Sequence, residues 1–157
     1  MANFRRIGIL SSGGDAPGMN AAIRAATRRA LSQGLEVVGI LGGYSGLLSA
    51  ADEPDPEIVR QKYLRPFNSA SVSNIVTRGG TILYSSRCPE FATPAGMDKA
   101  LRACEKYQID AVIAIGGDGT FRGATDLTNH GIPSIGIPPP LITISLPPSR
   151  PSASILR

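Results

Sequence analysis

Apolar positions along the chain follow two alternating rhythms. Short apolar or largely apolar runs, Ile7–Leu10, Leu35–Leu41, Ala111–Ile115 and Ser134–Ile137, read as strands, Ala111–Ile115 the clearest buried one. Between them lie segments with helical spacing. Asn20–Gln33 is one, stopped by Gly34. Pro94–Tyr107 is another, with Met97, Leu101 and Cys104 on a single stripe. Asp55–Leu64 and Gly123–Asn129 read as shorter helices, and Ile82–Tyr84 as a further strand. The segments Ser11–Gly18 and Gly42–Gly46 are rich in glycine and read as loops. Strand and helix signals in alternation predict an α/β fold, a parallel sheet with helices on both faces.

The rhythm stops at Ile137. Residues 138–157 hold six of the 13 prolines, four serines and no acidic residue. Pro138–Pro139–Pro140 can neither extend a strand nor enter a helix interior. The expected division is therefore a domain over 1–137 and a Pro/Ser-rich tail over 138–157, without a fold of its own.

Composition narrows the possibilities. A chain of 157 residues, 42% hydrophobic and 18% charged, suits one globular domain. No apolar run approaches the ~18 residues of a membrane span. The opening residues carry charge but no long apolar stretch before Ser11, which argues against a secretory signal and for the cytoplasm. Two cysteines and one histidine cannot build a disulfide scaffold or a structural zinc site. The net charge of +4 is spread along the chain, and there are only four Phe and four Tyr for base stacking. Both facts argue against nucleic acid as a partner.

The candidate chemistry sits in loops after strands, where open parallel sheets bind ligands. Ser11–Asn20 contains Gly13, Gly14 and Gly18 and leads into a helix, an arrangement that lets backbone N–H groups approach a phosphate. It lacks both the Walker Gly-Lys-Ser/Thr and the dinucleotide Gly-x-Gly-x-x-Gly spacing. Gly116-Gly117-Asp118-Gly119-Thr120 follows the clearest strand; an aspartate among glycines suits Mg²⁺ beside a polyphosphate. The alternative is a capping Asp, which needs fewer glycines. Thr77–Thr81 and Ser85–Cys88 form a third group, with Arg87 a candidate phosphate contact.

Four stretches together carry a resemblance. Gly8–Arg24, Gly42–Leu47, Arg78–Thr81 and Ala114–Thr120 resemble the bacterial-type ATP-dependent 6-phosphofructokinases, in a match continuous over residues 5–137. The resemblance implies two Rossmann-like lobes, of which this chain would hold most of the first. It implies transfer of the ATP γ-phosphoryl group to the 1-hydroxyl of fructose 6-phosphate, with Mg²⁺. Gly14, Arg87, Cys88, Gly117, Asp118, Gly119 and Thr120 match the family's ATP-site positions, and Asp118 its magnesium ligand. Arg24 and Arg28 match positions that bind an allosteric nucleotide in some members; their spacing of four places both on one helix face. The family forms homotetramers. Members that use pyrophosphate carry a second Asp where this chain has Gly119, so Gly119 points to ATP.

The chain departs from the pattern after Pro138. There the family continues Thr-Ile-Asp-Asn-Asp, whose first Asp is the catalytic base. No such residue follows here, nor the residues that hold the sugar phosphate. Half a site is expected to bind nucleotide without turnover. Read one base out of frame, residues 138–157 can spell Ala-Thr-Ile-Asp-Asn-Asp and a family-like continuation, which points to a one-base shift at the Pro138 codon. Two other readings stand beside the main one: a non-catalytic nucleotide-binding fragment, and a NAD or lipid kinase sharing only Gly116–Thr120. Among the remaining residues, His130 is expected at a helix end, Cys104 in the core, and Cys88 as a backbone contact to nucleotide.

Overall fold

Successive side chains of a strand point to opposite faces of a sheet, and here both faces are apolar. A computed structural model describes residues 3–14 and 16–139. Five strands form one sheet: β1 (Arg6–Ser12), β2 (Glu36–Ile40), β3 (Leu64–Phe67), β4 (Ala111–Gly116) and β5 (Ser134–Ile137), in the order β3-β2-β1-β4-β5. The helices are α1 (Met19–Ser32), α2 (Gly43–Asp52), α3 (Pro56–Lys62), α4 (Pro94–Lys106) and α5 (Asp118–Asn129). Single 3-10 turns occupy Ala70–Val72 and Pro89–Ala92.

The alternation along β1 and β2 divides the core in two. Ile9 and Val37 join Met19, Ile23 and Ala30 of α1 on one face, with Phe67, Val72 and Leu83. Leu10, Val38 and Ile40 join Leu47 of α2, Met97 and Ala100 of α4, and Leu127 of α5 on the other. Each fully buried aliphatic side chain stabilises the fold by roughly 1.5–3 kcal/mol. The helices on both faces are those the alternating pattern predicts.

Charge fixes the opposite end of the sheet. The Asp110 carboxylate accepts from the backbone N–H groups of Arg5 at 2.6 Å and Arg6 at 2.9 Å, pinning the start of β1 to the start of β4. These hydrogen bonds hold its carboxyl below the usual range.

Four elements differ from expectation. Gly42–Gly46 is not a loop: Gly42 is the cap and Gly43 already the first residue of α2. The apolar residues Tyr44, Leu47 and Leu48 share one helical face, and its burial overrides three glycines in the sequence. The helix expected over 55–64 ends at Lys62, and Leu64–Phe67 becomes β3, antiparallel to β2. The sheet is thus parallel in four strands and antiparallel at one edge, where Pro66 is tolerated. Ile82–Tyr84 is a turn, with Tyr84 at φ 56. Finally, α5 starts at Asp118, not Gly123, so most of the second glycine motif is the helix's first turn.

The last strand among the described residues, β5, ends at Ile137. Most of the 138–157 tail, from residue 140 on, lies outside the described residues. Among the described residues, no helix is long and apolar enough to cross a membrane.

Candidate functional site

Because β1, β2 and β4 are parallel, their carboxyl ends share one edge of the sheet. Three helices, α1, α2 and α5, start from that edge. Each is preceded by a glycine, Gly18, Gly42 and Gly117, and none has a side-chain cap. The other two helices are capped in the ordinary way. Asp55 accepts from Glu57 N–H at the start of α3, and Thr93 from Gly96 N–H at the start of α4. Free N–H groups and the positive end of the helix dipole are thus left at the edge where the glycine loops converge.

The first two loops are held side by side. The sheet register pairs Ser12 with Gly116. A Cβ on Gly116 would collide with the Ser12 carbonyl and the Thr120 hydroxyl, so only glycine fits. Thr120 Oγ1 donates to the Ser12 carbonyl at 3.1 Å, and the Tyr44 hydroxyl donates to the Thr120 carbonyl at 2.7 Å. Burial raises the Tyr44 hydroxyl far above its ordinary pKa, with Asp126 adding to the effect, so it remains a donor. Gly13 sits at φ 89, in the left-handed region, and turns the chain away from β1.

Around this frame the backbone is open. Gly14, Gly117 and Gly119 are exposed, and a Cβ built on any of them would meet nothing within 4 Å. The first hydrogen bond of α5 runs from Phe121 N–H to the Gly117 carbonyl at 3.1 Å. The N–H groups of Asp118, Gly119 and Thr120 therefore have no partner within the helix. That is the arrangement of a phosphate-binding helix start.

The third group crosses over the crest. Ser11 Oγ donates to the Tyr84 carbonyl at 2.9 Å and lies 2.7 Å from Thr81 Oγ1. Ser85 Oγ donates to the Gly13 carbonyl at 2.8 Å, and Ser86 Oγ to the Gly42 carbonyl at 2.7 Å. Asn20, buried at the start of α1, donates to the Arg78 carbonyl and accepts from Ile82 N–H. Residues 78–86 are in this way stapled to both neighbouring loops. They lead into Arg87, which is exposed, and Cys88, which is half-buried against the core that α2 and α4 share.

The residues expected at the site thus separate by role. Gly14, Gly117, Asp118 and Gly119 are brought together and exposed. Thr120 is buried, and its side chain ties the two loops together. Arg24 and Arg28 lie further along α1; Arg24 is half-buried, with its Nε enclosed and unpartnered, and Arg28 is exposed. His130 caps the end of α5, its Nδ1 2.7 Å from the Asp126 carbonyl. Cys104 is in the core, where burial pushes its thiol up to about 12. The staples Ser11, Asn20, Ser85 and Ser86 lie in the candidate loops and Tyr44 in Gly42–Leu47, but nothing in the sequence assigns them this role. Each is an ordinary polar or aromatic residue, and only its partner reveals its role.

The donor set fits one kind of metal. Asp118 is exposed at the crest, and among the described residues no three His, Cys, Asp or Glu side chains cluster. Mg²⁺ needs only one or two protein carboxylates when phosphates and water complete its shell. Asp118 suits that shared coordination and could not build a protein-only cage.

The ATP-dependent 6-phosphofructokinase of Streptococcus pneumoniae (strain Hungary19A-6) is 48% identical over 135 residues, 86% of this chain and 37% of that protein. The chain therefore spans about 37% of the length of the curated relatives it matches. Phosphofructokinase from Saccharomyces cerevisiae superposes with a TM-score of 0.72 at 27% identity, covering 87% of this chain and 20% of that one. The Pichia pastoris phosphofructokinase gives 0.73 at 29%, covering 89% and 17%. The phosphofructokinase family model matches residues 6–144, and the chain belongs to that family.

Proposed function

We propose that this chain is the nucleotide-binding part of an ATP-dependent 6-phosphofructokinase. Such an enzyme moves the γ-phosphoryl group of ATP to the 1-hydroxyl of fructose 6-phosphate, giving fructose 1,6-bisphosphate and ADP. The observation that carries the reading is the pair of glycine loops locked together by Thr120 and Ser12, with open backbone at Gly14, Gly117 and Gly119.

Each residue has a role in that reading. The bare glycines let the phosphates approach the main chain. The free N–H groups at the start of α5 bind phosphate oxygens that no water then needs to solvate. Asp118 would hold Mg²⁺, which neutralises charge on the phosphates when bound. Gly119 leaves room beside Asp118, where a carboxylate would repel a nucleotide's α-phosphate, and this supports ATP as donor. Arg87 offers a cation to the phosphates, and Cys88 a backbone contact to the nucleoside. Arg24 and Arg28 on α1 suit an effector's phosphates in the assembled, cytoplasmic homotetramer.

The reaction also needs a base for the sugar hydroxyl. Residues 138–157 contain no acidic side chain to serve. Transfer depends on positioning both substrates, so nucleotide binding without turnover is expected of residues 1–157. Calorimetric titration of the full chain with Mg·ATP, beside an assay for fructose 1,6-bisphosphate, tests this. Saturable binding and no product is the expected result. No binding of Mg·ATP would contradict the proposal.

A further inference from the structure

Tyr84 is an anomaly that the nucleotide loops do not explain. Its backbone lies at φ 56, a left-handed conformation costly for any residue with a Cβ. Its side chain is 65% exposed, so burial does not offset that strain. Strained backbone persists where something else requires it. The Tyr84 carbonyl is needed to accept from Ser11, but a glycine would supply the same carbonyl without the strain. What glycine would not supply is the ring.

Tyr84 lines a cavity of about 430 Å³ with Ser45, Ser49, Lys62, Arg65 and Ser86. No acidic residue lines it, and Lys62 and Arg65 form none of the ion pairs among the described residues. Ser45 and Ser49 lie one turn apart on α2, about 100° and about 140° around the helix from Tyr44, which turns towards Thr120. Gly42, the cap of α2, and Gly46 within it line the cavity as well. Gly14, Gly117, Asp118 and Gly119 take no part in it.

We propose that this cavity is a second ligand site, separate from the loops around Gly14 and Gly117. Its ligand is a phosphate ester of a planar ring, the chemistry of an aryl or nucleoside monophosphate. Lys62 and Arg65 supply charge, and Arg65 a planar fork suited to phosphate oxygens. The two serine hydroxyls of α2 supply neutral hydrogen bonds. The exposed Tyr84 ring supplies a flat apolar surface for the ring of the ligand. The site stands whether or not the glycine loops bind ATP.

Phenyl phosphate is the probe, titrated into the full chain with the glycine loops saturated by Mg·ATP and again without nucleotide. Inorganic phosphate serves as the ring-free control. Phenyl phosphate is expected to bind at least five-fold more tightly than phosphate in both conditions. Tyr84→Gly should erase that difference while leaving the melting temperature unchanged or higher. The double change Lys62→Ala and Arg65→Ala should weaken both probes at least ten-fold. Equal affinity for the two probes, or binding indifferent to all three changes, overturns the proposal. Failure of Mg·ATP to bind would count against the proposed function and leave this result readable.

Discussion

The hydroxyl of Thr120 reaches across two strands' ends to the carbonyl of Ser12, 108 residues away in sequence and 3.1 Å away in space. It is a buried hydrogen bond, and it fixes the spacing of the two loops that form the candidate site. Replacing Thr120 by Val keeps the shape and leaves the Ser12 carbonyl buried without that donor. The expected cost is about 1–3 kcal/mol in stability. A loss of Mg·ATP affinity should accompany it, because the loops lose their fixed separation. Thermal unfolding and calorimetric titration check the two effects.

Gly117 should tolerate a side chain structurally and not functionally. Its φ of −91 and ψ of −160 are extended backbone, and a Cβ placed there would meet no atom within 4 Å. Gly117→Val is therefore expected to melt within a few degrees of the parent. It should lose at least ten-fold in Mg·ATP affinity, about 1.4 kcal/mol, by filling the space a phosphate needs. Gly116→Ala should behave in the opposite way, because its Cβ would collide with Ser12 and Thr120. Soluble yield and melting temperature separate the two variants.

Asp118 is the acidic residue of the first turn of α5. Asp118→Asn removes a charge that the helix dipole favours, at a cost of about 0.3–1 kcal/mol. The larger effect is expected on magnesium. In the parent, Mg²⁺ should tighten ATP binding; in the variant that enhancement should vanish. Titrations with and without the metal measure it, and an enhancement equal in both proteins would remove Asp118 from the metal's shell.

Asp110 gives the fold an acid-sensitive clasp. Hydrogen bonds from the backbone of Arg6 and Arg5 lower its pKa in the folded state. A group lowered on folding contributes stability above its unfolded pKa, ~3.9, and that contribution is lost as pH falls through the folded value. Asp110→Asn should therefore lower stability at neutral pH and flatten its decline below about pH 4. Urea unfolding at a series of pH values tests the sign.

The two cysteines should react unequally. The buried Cys104 thiol, pushed up to about 12, stays protonated and enclosed at pH 8. Cys88 is half-buried beside the crest. One equivalent of an alkylating reagent is expected to add, at Cys88, and Mg·ATP should slow it. Peptide mass mapping identifies the residue.

Much of this architecture is legible in the sequence. Largely apolar runs mark β1, β2, β4 and β5, most clearly in β1 and β4, because a strand buried on both faces has no polar side. The glycine loops are legible because backbone that must approach a ligand cannot carry side chains. What stays hidden depends on partners distant in the chain. Leu64–Phe67 is too short for a pattern, and becomes a strand only because Val37–Ile40 offers an open edge. Gly43–Asp52 is helical because Tyr44 and Leu47 find a core. Tyr84 looks like one more β-former after Ile82 and Leu83; only its left-handed backbone marks it out.

Every role proposed for the phosphoryl-transfer site depends on the loops around Gly14 and Gly117 forming a nucleotide site. Amide hydrogen exchange on the full chain, with and without Mg·ATP, reads those loops residue by residue. Slowed exchange is predicted at Gly13–Gly14 and at Asp118–Thr120, where open backbone and the unpartnered N–H groups of α5 meet phosphate. Unchanged exchange in both segments under saturating Mg·ATP, or protection confined to other parts of the chain, would contradict it.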